Sequence, residues 1–495
     1  MVNRSIQLGC FFFFMLSFSY SSKGQEFVFS SNCVQAYHCF LSMKINEGKV
    51  WLSKEIASNP KNLLPYVLVN YEDFVSLSFN ENPAEYKLRK PLLNKRLKVI
   101  EQGNQQSPYY LFSKGLLYYQ WSLIQIKYSD YWNAVWDFRK SYFFFKDNQK
   151  KYPTFPYNQV FLGLQEAAIS TIPSGYKWAT SILGLKGDMK KGIASIKQFI
   201  ASKQIPFNEE ACLYYVYLKN YLENDPEGAF ELTKSLNLDI KNNLVFTFMS
   251  ANLALNNKKA QLAETILENR TKSNAYMAFP MLDYELGDAK LKRLDYNAMS
   301  SLQKFVQTYK GNFYIKDAYL SMAFCAYLQG NQKLADSYLL KIKSSGKTES
   351  DADKQAQKFA LKGKFPDKEL LKARLLNDGG YHQQSLEILL KKNVQSFNSA
   401  EEKLEYLYRL ARVYDDLNLG EKAIQYYDLT IVSGKESTEY FAARAALQAG
   451  CIFEKKGQKA KAMQYFQSVL DMDNHDYKNS LDQRAKAGIN RLKGV

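Results

Sequence analysis

Residues 404–434 read LEYLYRLARVYDDLNLGEKAIQYYDLTIVSG, and residues 442–473 read AARAALQAGCIFEKKGQKAKAMQYFQSVLDMD. Each segment contains two helical patterns joined by a short turn, and the second repeats the first after 39 positions. The matching residues are Leu407, Leu410, Ala411, Tyr414, Ala423 and Tyr427 in the first segment, and Ala446, Ala449, Gly450, Phe453, Ala462 and Phe466 in the second. Self-similarity at such a period predicts a stack of helical hairpins rather than one globular domain.

The small residue early in each second helix also recurs upstream. These markers are Ala263, Ala298, Ala335, Ser385, Ala423 and Ala462, at steps of 35, 37, 50, 38 and 39 residues. A large apolar residue follows each marker after four positions, as Tyr427 follows Ala423. Small residues let two helix backbones approach closely, and the large residue fills the gap beside them. The longest step contains residues 347–364, which we interpret as one additional helix or an extended connection.

Two long helices are predicted further upstream, over residues 109–128 and 130–148. We expect Trp121, Trp132 and Trp136 to fill the seam between them, because large rings pack well between paired helices. An aromatic platform for a ligand is the alternative interpretation.

Prolines make the pattern less regular after residue 150. Pro153, Pro156 and Pro173 interrupt it, and Pro206 precedes a new helical segment. We therefore predict a boundary near residue 205, between a divergent helical region (25–205) and a more regular repeat stack (206–495).

The N-terminus has the features of a targeting signal. Arg4 precedes an apolar core from Leu8 to Phe18, and small residues then lead to Gln25. The core is shorter than the roughly 20 apolar residues that span a bilayer, so we predict a cleaved signal peptide over residues 1–24. A buried N-terminal helix is the alternative. No later segment is predicted to span a membrane, and we expect an exported protein of the periplasm or cell envelope.

Cysteine usage fits an exported chain only loosely. Five cysteines remain after residue 24, and they are too scattered for a disulfide framework. They are Cys33, Cys39, Cys212, Cys325 and Cys451. We expect most of them to be small buried residues.

The chain is basic, with 66 Lys and Arg against 49 Asp and Glu and a formal charge of +17. Such an excess favours an anionic partner, so binding to nucleic acid or another anionic polymer is an alternative function. However, no run of five or six like charges concentrates the excess. Lysines spread over solvated helix faces explain the composition more simply, and export disfavours nucleic acid.

No motif in the sequence predicts catalysis, a cofactor or a metal site. The three histidines are far apart and have no metal-ligand spacing. Residues 345–348 (SGKT) resemble the end of a phosphate loop, but Lys341 stands where that loop needs glycine. A hydrolase site within residues 151–205 would need converging titratable groups that the pattern does not indicate. We predict that the protein is not an enzyme.

The small–small–large pattern and its spacing resemble tetratricopeptide repeats (TPRs), best over residues 404–469 and more weakly over 313–342 and 244–270. Residues 305–339 resemble TPR proteins of bacterial outer-membrane assembly and cell-envelope systems. The segments SPYYLF (107–112) and IPSGYKWATSILGLKGD (172–188) resemble exported repeat proteins of the Bacteroidota and, more distantly, a eukaryotic mitochondrial repeat family.

The TPR resemblance implies an all-α, right-handed α-solenoid of helix-turn-helix repeats whose concave groove binds a peptide or protein. It places the following residues on the groove-facing side of first helices: Asp317, Phe324, Tyr327, Glu405, Tyr408, Arg412, Asp415, Arg444 and Glu454. The clustered Lys, Asn and Arg of repeats that bind chaperone tails are not evident. The predicted function is a scaffold or adaptor of the cell envelope, and neither the partner nor the oligomeric state is predicted.

Overall fold

The computed structural model describes residues 25–172, 177–223 and 225–493. Most of these residues are helical, and apart from two isolated β-bridges they contain no strand. The prediction of an all-α helical repeat fold is thereby confirmed. Residues 1–24 lie outside the described part of the chain, so the signal peptide stays a prediction.

The helices fall into three groups along the chain. The first group is α1 (Ser31–Leu41), α2 (Ile45–Ser58), α3 (Leu64–Leu68), α4 (Asn70–Asn80), α5 (Pro83–Arg89), α6 (Leu92–Ile100), α7 (Pro108–Lys127), α8 (Tyr131–Lys151), α9 (Asn158–Ser170), α10 (Lys177–Ile182) and α11 (Met189–Ser202). The second group is α12 (Asn208–Tyr221), α13 (Pro226–Ser235), α14 (Leu244–Asn256), α15 (Ala260–Asn269), α16 (Met281–Leu291), α17 (Ala298–Thr308), α18 (Ile315–Leu328), α19 (Gln332–Ser344) and α20 (Asp351–Lys362). The third group is α21 (Lys368–Gly379), α22 (His382–Leu390), α23 (Ala400–Asp416), α24 (Gly420–Gly434), α25 (Phe441–Lys455), α26 (Lys459–Leu470) and α27 (Lys478–Lys493).

Consecutive helices pair as hairpins, and the predicted markers lie in the seams. All six markers are buried, as are the large residues that follow them. The Ser385 hydroxyl donates a 2.7 Å hydrogen bond across its seam to the carbonyl of Ala373. In the last hairpins the Phe466 ring lies against Gly450 on one side and Gly488 on the other, where a Cβ would come within 2.6 Å of the ring. The small residues therefore admit the ring that joins three helices.

The 50-residue step contains one additional helix, α20, so the helical interpretation of this segment is confirmed. Ala356 and Ala360 bury one side of it. Near its start the buried Asp353 carboxylate accepts hydrogen bonds from the backbone N–H groups of Lys316 (2.9 Å) and Asp317 (3.2 Å). These N–H groups have no partner within their own helix, so α20 caps the N-terminus of α18.

The prediction that three tryptophans fill the seam between α7 and α8 is wrong for two of them, and the third is buried toward α4 and α5. Trp121 is fully buried and its indole N–H donates to Asn70 at 2.9 Å. Trp132 and Trp136 are exposed. The buried face of α8 runs through Ala134, Asp137, Ser141 and Phe145, and both exposed tryptophans lie on another side of the helix. The spacing of the smaller residues, rather than ring size, sets the face of α8 that meets α7.

Helices α1 to α20 form what we call the closed body. One hydrophobic cluster extends from Phe27 to Leu375, and the boundary predicted near residue 205 lies inside it and stays a prediction. Segments far apart in sequence meet in this body. The Met277 N–H donates to the Met43 carbonyl at 2.8 Å. The Phe79 ring also contacts the Phe279 ring, with 4.7 Å between their centroids.

A buried carboxyl group joins three helices of the closed body. Glu210 of α12 accepts hydrogen bonds from the hydroxyls of Tyr37 (2.9 Å), Tyr71 (2.8 Å) and Tyr214 (2.7 Å). Tyr37 belongs to α1 and Tyr71 to α4, so these hydrogen bonds hold the first helices against α12, in the middle of the chain.

Helices α21 to α27 form the C-terminal stack. Two smaller hydrophobic clusters hold it together, one centred on α23 and the other on α25 to α27. Leu371 and Leu375 of α21 belong to the large hydrophobic cluster of the closed body. Polar contacts add to this junction: Lys358 and Lys362 of α20 form ion pairs with Asp476, Glu401 and Glu439. The direction in which the hairpins coil stays a prediction.

Candidate protein-binding surface

The first helices of the last three hairpins place a row of basic side chains together. Arg412 lies on α23, Arg444 and Lys455 on α25, and Arg484 on α27. We call these four residues the basic face. Burial lowers the pKa of Arg484, and the positive charges of Arg444 and Arg412 lower it further, which places both of these guanidinium groups near Arg484.

A cleft of about 580 Å³ adjoins this face, between the α23–α24 turn and α25. Its walls include Asp415, Gln448, Cys451 and Lys455. Burial raises the pKa of the Cys451 thiol, and the neighbouring Arg484 and Lys455 oppose the shift in part. The cleft and the basic face are therefore one continuous region.

Arg412 is already engaged with acidic groups. It contacts the carboxylates of Asp415 at 3.4 Å and Asp416 at 3.5 Å, and Asp415 accepts a 2.9 Å hydrogen bond from Tyr427. Burial lowers the pKa of Arg412, but Tyr427, Tyr408 and the two aspartates outweigh burial and raise the pKa above its usual value. Arg412 is a fixed cation at all relevant pH values.

The closed body reaches this region through Lys258, in the turn between α14 and α15. Its ammonium group pairs with Asp416, which also accepts a 2.8 Å hydrogen bond from Asn377. His382 contacts the same Asn377 side chain at 2.7 Å. Burial lowers the pKa of His382, and the effects of Lys258 and Arg412 add to this shift, so the imidazole is neutral at pH 7.

Arg444 and Arg484 differ from Arg412. Among the described residues no carboxylate lies within ion-pair distance of either guanidinium group. The Arg444 Nε is buried without a hydrogen-bond acceptor, and its guanidinium lies 5.9 Å from the Tyr440 ring centroid. Two cations with unused donors are thus held beside a third.

Three predicted groove residues lie in the closed body, away from the basic face. Asp317 accepts a 2.6 Å hydrogen bond from Tyr284, and burial raises its pKa to about 6. Phe324 is buried against Phe359 of α20, with 5.3 Å between ring centroids. Tyr327 stacks on Phe365, which follows α20, with the centroids 4.4 Å apart. Helix α20 and the residues after it therefore cover this side of α18.

Three further predicted residues form contacts within the C-terminal stack. Glu405 is buried and pairs with Arg409 at 2.8 Å. Tyr408 is also buried, and its ring packs against Phe441. Glu454 binds Arg491 of α27 at 2.9 and 2.8 Å. Of the predicted set, the structure brings Arg412, Asp415 and Arg444 together at the basic face.

The sequence interpretation missed Arg484, Lys455 and Lys258. For Arg484 a signal was present, because Ala485 and Gly488 stand 39 positions after Ala446 and Ala449 and predict one more first helix. Lys455 follows Arg444 on the same side of α25, three turns along. No local pattern indicates Lys258, since it meets Asp416 across 158 residues.

The described residues contain no group of three or more His, Cys, Asp and Glu side chains arranged to hold a metal ion. The five cysteines within the described ranges are unpaired thiols. None of the helices between residues 25 and 493 combines the length and apolar character needed to cross a membrane.

No protein-family model matches the sequence. No curated protein matches it either. Among solved structures, the chain is similar to the crystal structure of the APC/C hetero-tetramer Cut9-Hcn1, with 11% identity and a TM-score of 0.27 over 93% of this chain and 95% of that one. It is also similar to the structure of Naa15/Naa10 bound to HypK-THB, with 13% identity and a TM-score of 0.26 over 93% of this chain and 66% of that one. The helical hairpins of the chain themselves define its fold.

Proposed function

We propose that the protein is a non-enzymatic, TPR-like scaffold whose basic face binds an acidic segment of a protein partner. The observation that supports this proposal is the state of Arg444 and Arg484, which lie beside Arg412 without acidic partners of their own. A carboxylate that enters between them would relieve the repulsion and accept the unused hydrogen bonds.

Arginine suits this role because its planar group binds a carboxylate through two parallel hydrogen bonds. The three arginines project from helices that are already packed, so binding requires little ordering of the surface. The adjoining cleft beside Gln448 and Cys451 offers room for the side chains that flank an acidic residue. The acidic residues that line the region, such as Asp415, are engaged with Arg412 and leave Arg444 and Arg484 free for the ligand.

The test uses the full chain and a fluorescein-labelled hexaglutamate peptide, with binding followed by fluorescence anisotropy. Arg444→Ala combined with Arg484→Ala should weaken binding about tenfold or more, because a hydrogen bond to a charged group contributes roughly 1.5–3 kcal/mol. The matched control is Lys435→Ala combined with Lys459→Ala, which removes the same charge from two exposed positions, one directly after α24 and one on α26. The control should change affinity less than about twofold, since exposed single charges contribute little.

Equal affinities of the two double variants would overturn the proposal. Hexalysine is the peptide control and should not bind. The alternative, an anionic-polymer or nucleic-acid binder, is tested with oligothymidylate in the same assay. Tighter binding of the oligonucleotide, with a steep loss of affinity as salt rises, would favour that alternative over the acidic peptide.

We also propose that the protein acts in the cell envelope after removal of residues 1–24, on the strength of the apolar core from Leu8 to Phe18. Expression with a C-terminal tag, fractionation and N-terminal sequencing should recover a periplasmic chain that begins at Gln25. A cytoplasmic chain that retains Met1 would contradict export.

A further inference from the structure

The start of α8 exposes a cluster of aromatic and aliphatic side chains that no described residue covers. The cluster, which we call the aromatic patch, consists of Tyr131, Trp132, Val135 and Trp136. Trp132 is 74% exposed and Trp136 39% exposed, and their rings meet edge to face at 6.1 Å. Two indole rings held together in solvent are unusual, because each would normally be buried on folding.

The patch continues along α8 toward two more exposed apolar side chains, Trp178 and Ile182 of α10. Arg139 lies one turn beyond Trp136, and its guanidinium stacks on the Phe143 ring at 4.7 Å. It also donates a 2.9 Å hydrogen bond to the carbonyl of Leu183, the residue that directly follows α10. Helix α10 exposes Trp178 and Ile182, which are one turn apart. Three of the five tryptophans of the chain are therefore exposed in this part of the closed body.

The segment of the chain that carries the patch and α10 is predominantly basic. Residues 131–192 contain nine Lys and Arg against four Asp and Glu. Three of these four acidic side chains already have partners: Asp137 binds Gln125, Glu166 binds Lys191, and Asp188 caps α11. Exposed lysines such as Lys186 and Lys190 form no ion pair within the described residues.

The combination of exposed aromatic rings and basic side chains is typical of a surface that binds lipid. Trp and Tyr favour the boundary between lipid headgroups and acyl chains, because their rings are apolar at one end and polar at the other. Lys and Arg beside such rings are attracted to anionic lipids. The Trp132 ring protrudes from a helix surface instead of lining a groove, which suits insertion into a fluid surface.

We propose that the aromatic patch docks the protein onto the surface of an anionic lipid bilayer, with the Trp132 and Trp136 rings at headgroup level and the flanking lysines against lipid phosphates. The patch belongs to α8 in the closed body, whereas the basic face belongs to α23, α25 and α27. The proposed lipid docking and the proposed peptide binding therefore use different helices.

The test is co-sedimentation of the full chain with phosphatidylcholine vesicles that contain or lack phosphatidylglycerol. Wild type should sediment with the anionic vesicles, and its tryptophan emission should shift to the blue. Trp132→Ser combined with Trp136→Ser should weaken partitioning about tenfold or more, because large apolar side chains then stay in water. The matched control, Leu340→Ser combined with Val432→Ser, removes two exposed apolar side chains elsewhere and should sediment like wild type.

Charge is tested separately with Lys186→Glu combined with Lys190→Glu. This variant should lose most of the preference for phosphatidylglycerol and keep the residual affinity for neutral vesicles. Because all the substituted side chains are exposed, circular dichroism and melting curves should match those of wild type.

Equal sedimentation of wild type and the double tryptophan variant would overturn the proposal. Sedimentation velocity without lipid distinguishes the remaining possibility. If wild type self-associates, the tryptophan variant is monomeric and neither binds vesicles, the patch is an interface between copies of the chain and lipid docking is excluded.

Discussion

In the closed body, the hydroxyl of Tyr37 reaches a carboxylate 173 residues away, on Glu210. In the C-terminal stack, by contrast, the Phe466 ring packs between Gly450 and Gly488 of the two neighbouring helices. Both regions consist of helical hairpins with small residues in the seam. The closed body adds contacts between hairpins that are far apart in the chain, whereas the stack depends on neighbours.

This difference predicts different unfolding behaviour. A stack held by nearest neighbours opens locally, because each hairpin contributes its own stability and one interface on each side. In the closed body, α1 and α4 both contact α12. Unfolding of any one of these helices therefore breaks contacts to the others at the same time. We therefore expect the closed body to unfold as one cooperative unit and the stack to lose structure from α27 inward.

Buried charges also differ between the two regions. In the closed body, burial raises the pKa of Glu210 and Glu285, and their polar neighbours do not reverse the shift. In the stack, burial raises the pKa of Asp416, but Arg412 and Lys258 outweigh it and the pKa is lowered. Rising pH therefore destabilises the body through its buried glutamates, and falling pH destabilises the stack through Asp416.

The largest expected effect is that of Phe207→Ala. The ring of Phe207 contacts five other aromatic rings in the closed body, and its loss leaves a cavity where several segments meet. We expect a loss of about 3–5 kcal/mol in the free energy of unfolding, with faster hydrogen exchange throughout α1 to α20. Trp178→Ala, which removes an exposed ring, is the control and should change stability by less than about 0.5 kcal/mol. Faster exchange confined to α12 would contradict cooperative unfolding of the body.

Phe466→Ala tests the stack in the same way. The cavity between Gly450 and Gly488 should again cost about 3–5 kcal/mol, but in a local equilibrium. Hydrogen exchange should accelerate in α25 to α27 and stay unchanged in the closed body. Val432→Ala, at an exposed position of α24, is the control. Loss of protection in α1 to α12 would show that the two regions unfold together.

Glu285→Gln should change the free energy of unfolding by an intermediate amount. Unlike the two phenylalanine substitutions, it should stabilise the protein. Burial raises the pKa of Glu285 well above its usual value, while Asn252 donates a 2.9 Å hydrogen bond to it. Above about pH 4.5 the unfolded chain loses this proton and the folded chain retains it, so stability falls as pH rises. Each pH unit in this window costs about 1.4 kcal/mol, and glutamine removes the dependence.

Urea unfolding of the Glu285→Gln variant at several pH values should therefore show greater stability than wild type at pH 7 and a flatter profile above pH 4.5. Glu268→Gln is the control, because that carboxylate is about half exposed and pairs with Lys290. A Glu285→Gln variant that is less stable than wild type at pH 7 would contradict the raised pKa.

The smallest effect is expected for Lys358→Ala combined with Lys362→Ala. These exposed lysines bridge α20 to Asp476, Glu401 and Glu439 of the stack. Exposed ion pairs contribute roughly 0–1 kcal/mol each and are screened by salt. The double variant should lose about 1 kcal/mol or less at low ionic strength and match wild type at high ionic strength. A larger, salt-independent loss would show that α20 holds the two regions together by apolar packing.

Three of the nine residues predicted to bind a partner, Arg412, Asp415 and Arg444, lie together at the basic face. Arg412 and Arg444 stand 32 positions apart, so they are not equivalent positions of the 39-residue repeat, and the packing of α23 against α25 brings them together. The burial of Phe324 and Tyr327 did not follow, since the helix that covers them belongs to an insertion outside the repeat pattern. Arg484 was predictable in principle from the buried Ala485 and Gly488, one period after the last matched helix.

The sequence by itself determined the helices, the hairpins and the residues in their seams, because each of these depends on neighbours within about 40 positions of the chain. Only the tertiary structure decided that Tyr37 and Tyr71 meet Glu210, that α20 covers part of the predicted groove, and that Trp132 and Trp136 remain in solvent. The first two outcomes depend on contacts between helices that lie far apart in the chain, and the third depends on the side of α8 that packs against α7. No single segment encodes such contacts, so the surfaces available to a partner became visible only in the folded chain.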